Sequence, residues 1–351
     1  MAMKQNNENG QRWYHLPLTT GSFNGMPYRA LGNSGLQAPL LGLGTWKMGR
    51  PETGDGARIP EKEALSILDT AHERGVCFWD TANRYNSASG NAERVIGEWF
   101  RQHSSLRRDI ILCTKIGGAM DGGTPNHAGL GRKNILESVY ACLERLQTSF
   151  IELLYFHFFD PKTPAEESLA AIEDLVRQRL IGYFAVSNFS PAQLDLFAAA
   201  NRPGEIRTRI IAVQNQYDLL FGESEAQRGA LQYCTDHGMA FIPWSPLARG
   251  LLSGKYQPAV AARPGDRLFD EQALGPLQDP LVAKRLEALS ACAAARHIPL
   301  NQLVIAYMKQ LPAMGPLIIA SSSAAQLHSN ADGALLELEA PLLMEIKKIL
   351  S

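Results

Sequence analysis

A chain of 351 residues is long enough for two average domains, although parallel α/β barrels reach this length as one unit. Hydrophobic residues make up 45% of it, enough for a large core, and 34 basic against 35 acidic residues leave a formal charge of −1. That balance lacks the electrostatic footprint of a nucleic-acid or acidic-membrane binder, so no partner of either kind is expected.

Residues 1 to 25 are polar and rich in Gly and Asn, with an aromatic cluster at Trp13 and Tyr14, and are expected to form a tail. They contain no apolar core of signal-peptide length. No later run reaches the roughly 18 apolar residues of a membrane span. Five scattered cysteines without a CxxC or Cys/His pairing read as reduced, packed thiols, and a cytoplasmic location is expected. Residues 26–351 are expected to be a single domain.

The stretch MPYRALGNSGLQAPL has the composition of a β-hairpin turning at Asn33, Ser34 and Gly35. From there apolar strands alternate with amphipathic helices. LLGLGT (40 to 45) precedes EKEALSILDTAHERG, in which Ala64, Leu65, Ile67, Leu68 and Ala71 share a face before Gly75. VCFWD, DIILCTK and IELLYFH are each followed by a helical pattern. LIGYFAVSN leads to a helix opened by Ser190 and Pro191, the N-cap and first helical residues. IIAVQNQ, MAFIPWS and GPLIIASSS complete eight strand candidates, with no antiparallel run expected after the hairpin. Eight βα units favour a closed (β/α)8 TIM barrel with an N-terminal β-hairpin over an open doubly wound sheet. No GxGxxG follows the first strand, and Gly42 and Gly44 of LGLGTW are read as easing a crowded strand end beside a ligand.

Four polar side chains follow these apolar runs: Asp80 and Tyr85 in FWDTANRY, Lys115 in ILCTKIG and His157 in LLYFHFFD. A parallel barrel keeps its chemistry at the carboxyl ends of its strands, so the four are expected to converge. A lone tyrosine, lysine or histidine there would ordinarily be structural. Together they suit the reduction of a carbonyl by hydride, which needs a proton donor for the developing alkoxide and a hydrogen-bond donor on its oxygen. Tyr85 would be the acid, Lys115 would make it acidic enough, Asp80 would hold the lysine, and His157 would orient the carbonyl. With no HxH or HExxH and one strand-end histidine, no metal site is expected. No GxSxG elbow argues for serine hydrolysis.

Asp80, Tyr85, Lys115 and His157, in that order and spacing, resemble the tetrad of the aldo-keto reductase superfamily, and the resemblance runs from about Met26 to the end of the chain. It is closest to the potassium-channel β-subunit-like branch. It implies an NAD(P)H-dependent oxidoreductase that reduces an aldehyde or ketone. It also implies cofactor contacts. Ser187, Asn188 and Gln214 would hold the nicotinamide carboxamide and Trp244 would stack on its ring, while Gly44, Thr45, Trp46 and Asp80 line the same end. In SPLARGLLSGKY, Ser245, Pro246, Leu247, Arg249, Gly250 and Lys255 resemble the segment that wraps the pyrophosphate, with Arg263 and Arg267 as further cations. ASSSAAQLHSN carries the closing motif SSxxQLxxN at Ser322, Ser323, Gln326 and Asn330, where a helix start suits a phosphate.

Two departures bear on specificity. Ala320 stands where many members have Gly, and Ser322 and Ser323 where they have a Lys or Arg for the 2′-phosphate, so NADPH is expected with NADH as the alternative. The loop after Tyr85, NSASGNAE, is about two residues longer than the common form, which alters a wall of the substrate pocket. Trp46, Lys47, Asn83 and Arg84 place donors beside an indole at the barrel mouth, so Trp46, Arg84, Tyr85 and His157 are read as contacts for a small polar carbonyl, sugar-derived ones included. The rival reading is a nucleotide-binding redox sensor or regulatory subunit with negligible turnover. A monomer and a homo-oligomer are equally compatible with the sequence.

Overall fold

Apolar runs too short to bury themselves alone close here into a ring. The computed structural model describes residues 21–201, 208–256, 263 and 267–351. Eight parallel strands form its centre: β1 (Leu41–Gly44), β2 (Phe78–Asp80), β3 (Ile111–Ile116), β4 (Ile151–Phe156), β5 (Ile181–Ser187), β6 (Ile210–Asp218), β7 (Ala240–Trp244) and β8 (Leu317–Ile319). Each pairs with its neighbours in sequence, and β8 returns to pair with β1, so the sheet has no free edge in the ring. This is the (β/α)8 barrel expected from the sequence.

Strand periodicity of two sends alternate residues to two cores. Phe78, Ile111, Leu153, Tyr155, Ala212 and Ile242 fill the ring. Trp79, Leu112, Leu154, Val213 and Phe241 face outward into the helices. Those helices are α1 (Glu61–Glu73), α2 (Asn91–Gln102), α3 (Arg132–Arg145), α4 (Ala165–Arg177), α5 (Pro191–Ala200), α6 (Ala230–His237), α7 (Pro280–Ala294), α8 (Leu300–Met308), α9 (Ala324–Leu335) and α10 (Ala340–Leu350). In α1 the apolar stripe buries Ala64, Ile67, Leu68 and Ala71, with Leu65 at its margin. Ser190 and Gln193 form a reciprocal capping box at the start of α5.

The hairpin pairs Met26–Ala30 with Gln37–Pro39, and an added two-residue strand, Ser22–Phe23, extends it. Leu31 and Ala38 plug the amino-terminal mouth of the barrel, opposite the polar strand ends. Gly32 is obligatory there: at φ 56° a Cβ would lie 2.6 Å from the carbonyl oxygen of Ile211.

One expectation is corrected and another refined. An antiparallel pair does occur beyond the hairpin, because Asp218 Oδ1 accepts from the backbone N–H groups of Leu220 and Phe221 and turns the chain so that Gly222–Glu223 pairs back onto the end of β6. Gly42 and Gly44 do ease a crowded position, with Gly44 lining the cavity, and the crowding atoms are those of the barrel itself. A Cβ on Gly42 would lie 2.6 Å from Ile318 Cδ1, and one on Gly44 3.0 Å from Ile318 Cγ2. The expected tail lies largely outside the described residues, as do Trp13 and Tyr14.

Candidate active site

The carboxyl ends of the strands open into a cavity of about 1130 Å³, larger than the roughly 300–1,000 Å³ typical of one small ligand. Asp80, Tyr85, Lys115 and His157 line one end of it. Asp80 and Lys115, each 1% exposed, form an ion pair of 2.6 Å. The ammonium spends all three of its protons: on Asp80 Oδ2 at 2.6 Å, on the Thr81 carbonyl at 2.9 Å and on the Tyr85 hydroxyl oxygen at 2.9 Å. The Tyr85 hydroxyl in turn donates to Asp80 Oδ2 at 3.3 Å. The His157 ring stands 6.0 Å from the Tyr85 ring, edge to face.

Burial dominates the electrostatics. It pushes the Tyr85 hydroxyl well above its usual pKa, and the Asp80 carboxylate adds to the rise, so the phenol keeps its proton. Lys115, whose ammonium donates to the Tyr85 hydroxyl oxygen at 2.9 Å, stands where its charge opposes that rise once the proton leaves. Lys115 is itself lowered by burial, an effect Asp80 opposes. His157 is pushed down to about 3 by burial, then by Lys115 and Arg84, so its imidazole is neutral at neutral pH.

Beside the tetrad, Ser187 at the end of β5 is the register partner of Gln214 on β6, and both line the cavity. Asn188, held in the left-handed region at φ 61°, donates to the His157 carbonyl and accepts from the Trp244 indole N–H at 3.1 Å. That bond pins the indole by its edge while the residue lines the cavity. Gln214 Nε2 donates to Asp80 Oδ1 at 2.7 Å.

Further along, Ser245, Pro246, Leu247, Arg249, Gly250 and Lys255 line the wall, in a coil where Ser245, Ala248, Arg249 and Gly250 all take positive φ. Ser322, Gln326 and Asn330 lie where β8 meets α9. Their polar atoms are largely engaged with one another: Gln326 Oε1 accepts from the Ser322 backbone N–H and hydroxyl, Ser323 caps the helix, and Asn330 donates to Ser321 and accepts from Asn301.

Three expected contacts, Thr45, Asn83 and Arg263, do not line the cavity. Thr45 is fully buried and uses its hydroxyl and N–H on the Asp80 carbonyl, so it supports the site from behind. Arg263 is exposed and does not line the cavity, and the side chain of Arg267 lies outside the described residues. Lys47 and Trp46 do line the cavity, where Lys47 faces Glu271 at 3.5 Å and lies over the Trp46 ring, itself 47% exposed. Arg84 lines the cavity and lays its stem over Gly118, where a Cβ would meet Arg84 Cδ at 2.2 Å. Tyr85 opens a turn in which Asn86, Ser87 and Ala88 all hold positive φ, anchored by Asn86 donating to the Met48 carbonyl at 2.6 Å. Asn83 is buried with both amide atoms unpartnered and does not reach the cavity.

Asn301 and Ser329 also line the cavity and were not anticipated, because Asn301 lies inside a helix with no local motif and Ser329 is a variable position of SSxxQLxxN. Glu271 was missed because its partners, Lys47 and Arg58, are more than two hundred positions away. Among the described residues no group of three or more acidic, His or Cys side chains is arranged to hold a metal, and no helix is long and apolar enough to cross a membrane.

Sequence comparison agrees with this geometry. The model of the Aldo/keto reductase family matches residues 40–351. An aldo-keto reductase of Alternaria alternata is 30% identical over 94% of each chain. A probable voltage-gated potassium channel subunit beta of Arabidopsis thaliana is 32% identical over 87% of this chain and 90% of its own. Versiconal hemiacetal acetate reductase of Aspergillus parasiticus is 30% identical over 84% of this chain and 88% of its own. With strands, polar strand ends and sequence all in agreement, the chain belongs to the aldo/keto reductase family, whose members reduce carbonyls with NAD(P)H.

Proposed function

We propose that this protein reduces an aldehyde or ketone to the alcohol with NADPH, with Tyr85 as the general acid. The observation that carries the reading is the Lys115 ammonium, buried and fully committed to Asp80, the Thr81 carbonyl and the Tyr85 hydroxyl. A nucleotide-binding module has no need of a buried cation behind a tyrosine. The side chains beside it suit the cofactor: Ser187, Asn188 and Gln214 offer amide and hydroxyl groups to a carboxamide, Trp244 offers a flat face, and the start of α9 suits a phosphate. When bound, the nicotinamide supplies the hydride.

The rest is the chain's own work. As negative charge develops on the substrate oxygen, Tyr85 releases its proton to it. The phenolate oxygen left behind already accepts an N–H from Lys115, so its charge forms beside a fixed cation with no reorganisation. Asp80 keeps that lysine aimed. His157, neutral, donates one N–H and holds the oxygen within reach of Tyr85. Arg84 and Trp46 at the mouth favour a small polar carbonyl, sugar-derived ones included.

All these groups come from one chain, whether it works as a monomer or a homo-oligomer. We take residues 26–351 as the working domain. All five cysteines are free and buried, as suits the reducing cytoplasm. Mixing the protein with NADPH and a panel of hydroxylated and apolar aldehydes, and following loss of nicotinamide absorbance, tests the proposal. Tight NADPH binding with no turnover on any of them would favour the regulatory role instead.

A further inference from the structure

The Asp80 carboxylate is the centre of a branched network, and its two oxygens are not used alike. Oδ2 accepts from Lys115 and from Tyr85; Oδ1 accepts from Gln214, 134 residues away, at 2.7 Å. Gln214 is 1% exposed, as is Asp80, and Gln214 also lines the cavity opposite Ser187. We infer that Gln214 is a positioning residue for proton transfer, holding Asp80 in the orientation that lets Lys115 and Tyr85 work, in addition to any contact it makes with a nucleotide. This deepens the reductase reading and rests on it.

The physical reason is the number of donors. Lys115 has no fourth proton to give, and the Tyr85 proton is the one proposed to leave. Without Gln214, Oδ1 is a buried charged acceptor with no other hydrogen bond among the described residues. The carboxylate then relaxes by turning about its Cβ–Cγ bond or by gripping the Tyr85 proton more firmly. Both slow the release of that proton, and neither alters how the carbonyl substrate enters. A single amide therefore ties the nicotinamide end of the cavity to the acid.

Two substitutions separate this role from simple nucleotide binding. Gln214→Met keeps the length and removes the N–H. Gln214→Glu replaces it with a carboxyl that donates to Asp80 only while protonated. At saturating NADPH, Gln214→Met is expected to lower kcat about tenfold at every pH, the scale of a lost buried donor to a charged group, with KM for the carbonyl little changed. Gln214→Glu is expected to match it at pH 8 and to regain activity as the pH falls towards 5.5, a recovery that Gln214→Met does not show.

Binding and stability supply readouts that need no turnover. NADP⁺ titrated by tryptophan fluorescence reports the nucleotide contact separately. The introduced carboxyl, beside Asp80, has a folded pKa raised above its unfolded value of about 4.3, so its destabilisation grows as pH rises. The gap in Tm from wild type should widen between pH 5 and 8 for Gln214→Glu and stay constant for Gln214→Met. Unchanged kcat in Gln214→Met with weakened NADP⁺ binding would overturn the inference, as would a Gln214→Glu enzyme with no recovery at low pH. If the wild type reduces no carbonyl, the reductase reading fails instead; the Tm gap then decides whether the contact to Asp80 exists, and a flat gap overturns it.

Discussion

The two ends of the cavity are built on different principles. At the tetrad end the ion pair between Asp80 and Lys115 is buried, and every proton of the ammonium has a fixed acceptor. At the other end Ser322 and Lys255 are exposed and Gln326 is half-buried, and the polar groups bond mainly to their own neighbours. The contrast teaches where precision is needed. Proton release is sensitive to small displacements of one atom, whereas a phosphate spreads its charge over several oxygens and accepts donors from several directions. A site of the first kind is rigid before its ligand arrives. A site of the second kind rearranges when the ligand displaces internal hydrogen bonds such as that from Ser322 to Gln326.

Substitutions at the rigid end should therefore act on rate, and those at the other end on binding. The largest expected effect is that of Tyr85→Phe, which deletes the proton donor: turnover should fall by about 10²–10⁴ with nucleotide affinity within a few fold. Lys115→Met should cost a similar factor in kcat. Retention of more than roughly a tenth of wild-type activity in Tyr85→Phe would remove the tyrosine from its role. Next, Trp244→Ala should weaken NADPH binding by about 1–3 kcal/mol in a fluorescence titration, the scale of an aromatic platform. It also releases the Asn188 amide that the indole N–H holds.

The phosphate end sets a smaller difference. NADPH should bind more tightly than NADH by about tenfold, since one charge-assisted contact to the 2′-phosphate contributes about 1.5–3 kcal/mol, and Arg249 and Lys255, which line the cavity, are the candidate cations. Equal dissociation constants would erase the distinction. Smaller again is the effect of Arg84→Ala, which should lower kcat/KM for a hydroxylated aldehyde a few fold relative to benzaldehyde, on the scale of one hydrogen bond. A wild type that prefers benzaldehyde, with the ratio unmoved by the substitution, would end the polar-pocket idea and leave the reductase reading intact.

The smallest prediction concerns acid stability. The folded pKa of His157 is about 3 against an ordinary value of 6.5, so the unfolded chain binds a proton that the folded chain refuses. Stability from this residue is complete above the ordinary value and falls as the pH drops from 6.5 towards 3. His157→Gln should flatten that slope in an acid titration of Tm. An unchanged slope would mean that the imidazole is more open to water than its surroundings indicate.

The strand-end residues were legible in the sequence because each follows an apolar run whose length fixes where a strand stops, and the barrel was legible because eight such runs alternate with helical stripes. What escaped was set by partners remote in the chain. Nothing in VQNQYDLL announces that Gln214 donates to Asp80, and nothing near Lys47 announces Glu271. The raised pKa of Tyr85 escaped for a related reason: neighbouring letters reveal a lysine, but the depth at which the pair is buried depends on the whole ring. Helices α7 and α8 were passed over because their stretch follows a Gly- and Pro-containing segment that reads as loop.

The seam between β5 and β6 has a consequence for how activity is gained and lost, because the ring is complete only when β8 also pairs with β1. That seam carries a register shift between Phe184 and Val186, after which Ser187 stands opposite Gln214. The proposed site draws on strand ends from β2 through β8, so no contiguous fragment of the chain holds half of it in working form. Activity should therefore appear late in refolding, in step with the slowest long-range pairing, and a chain nicked or stretched at this seam should lose turnover all at once, with no partially active intermediate.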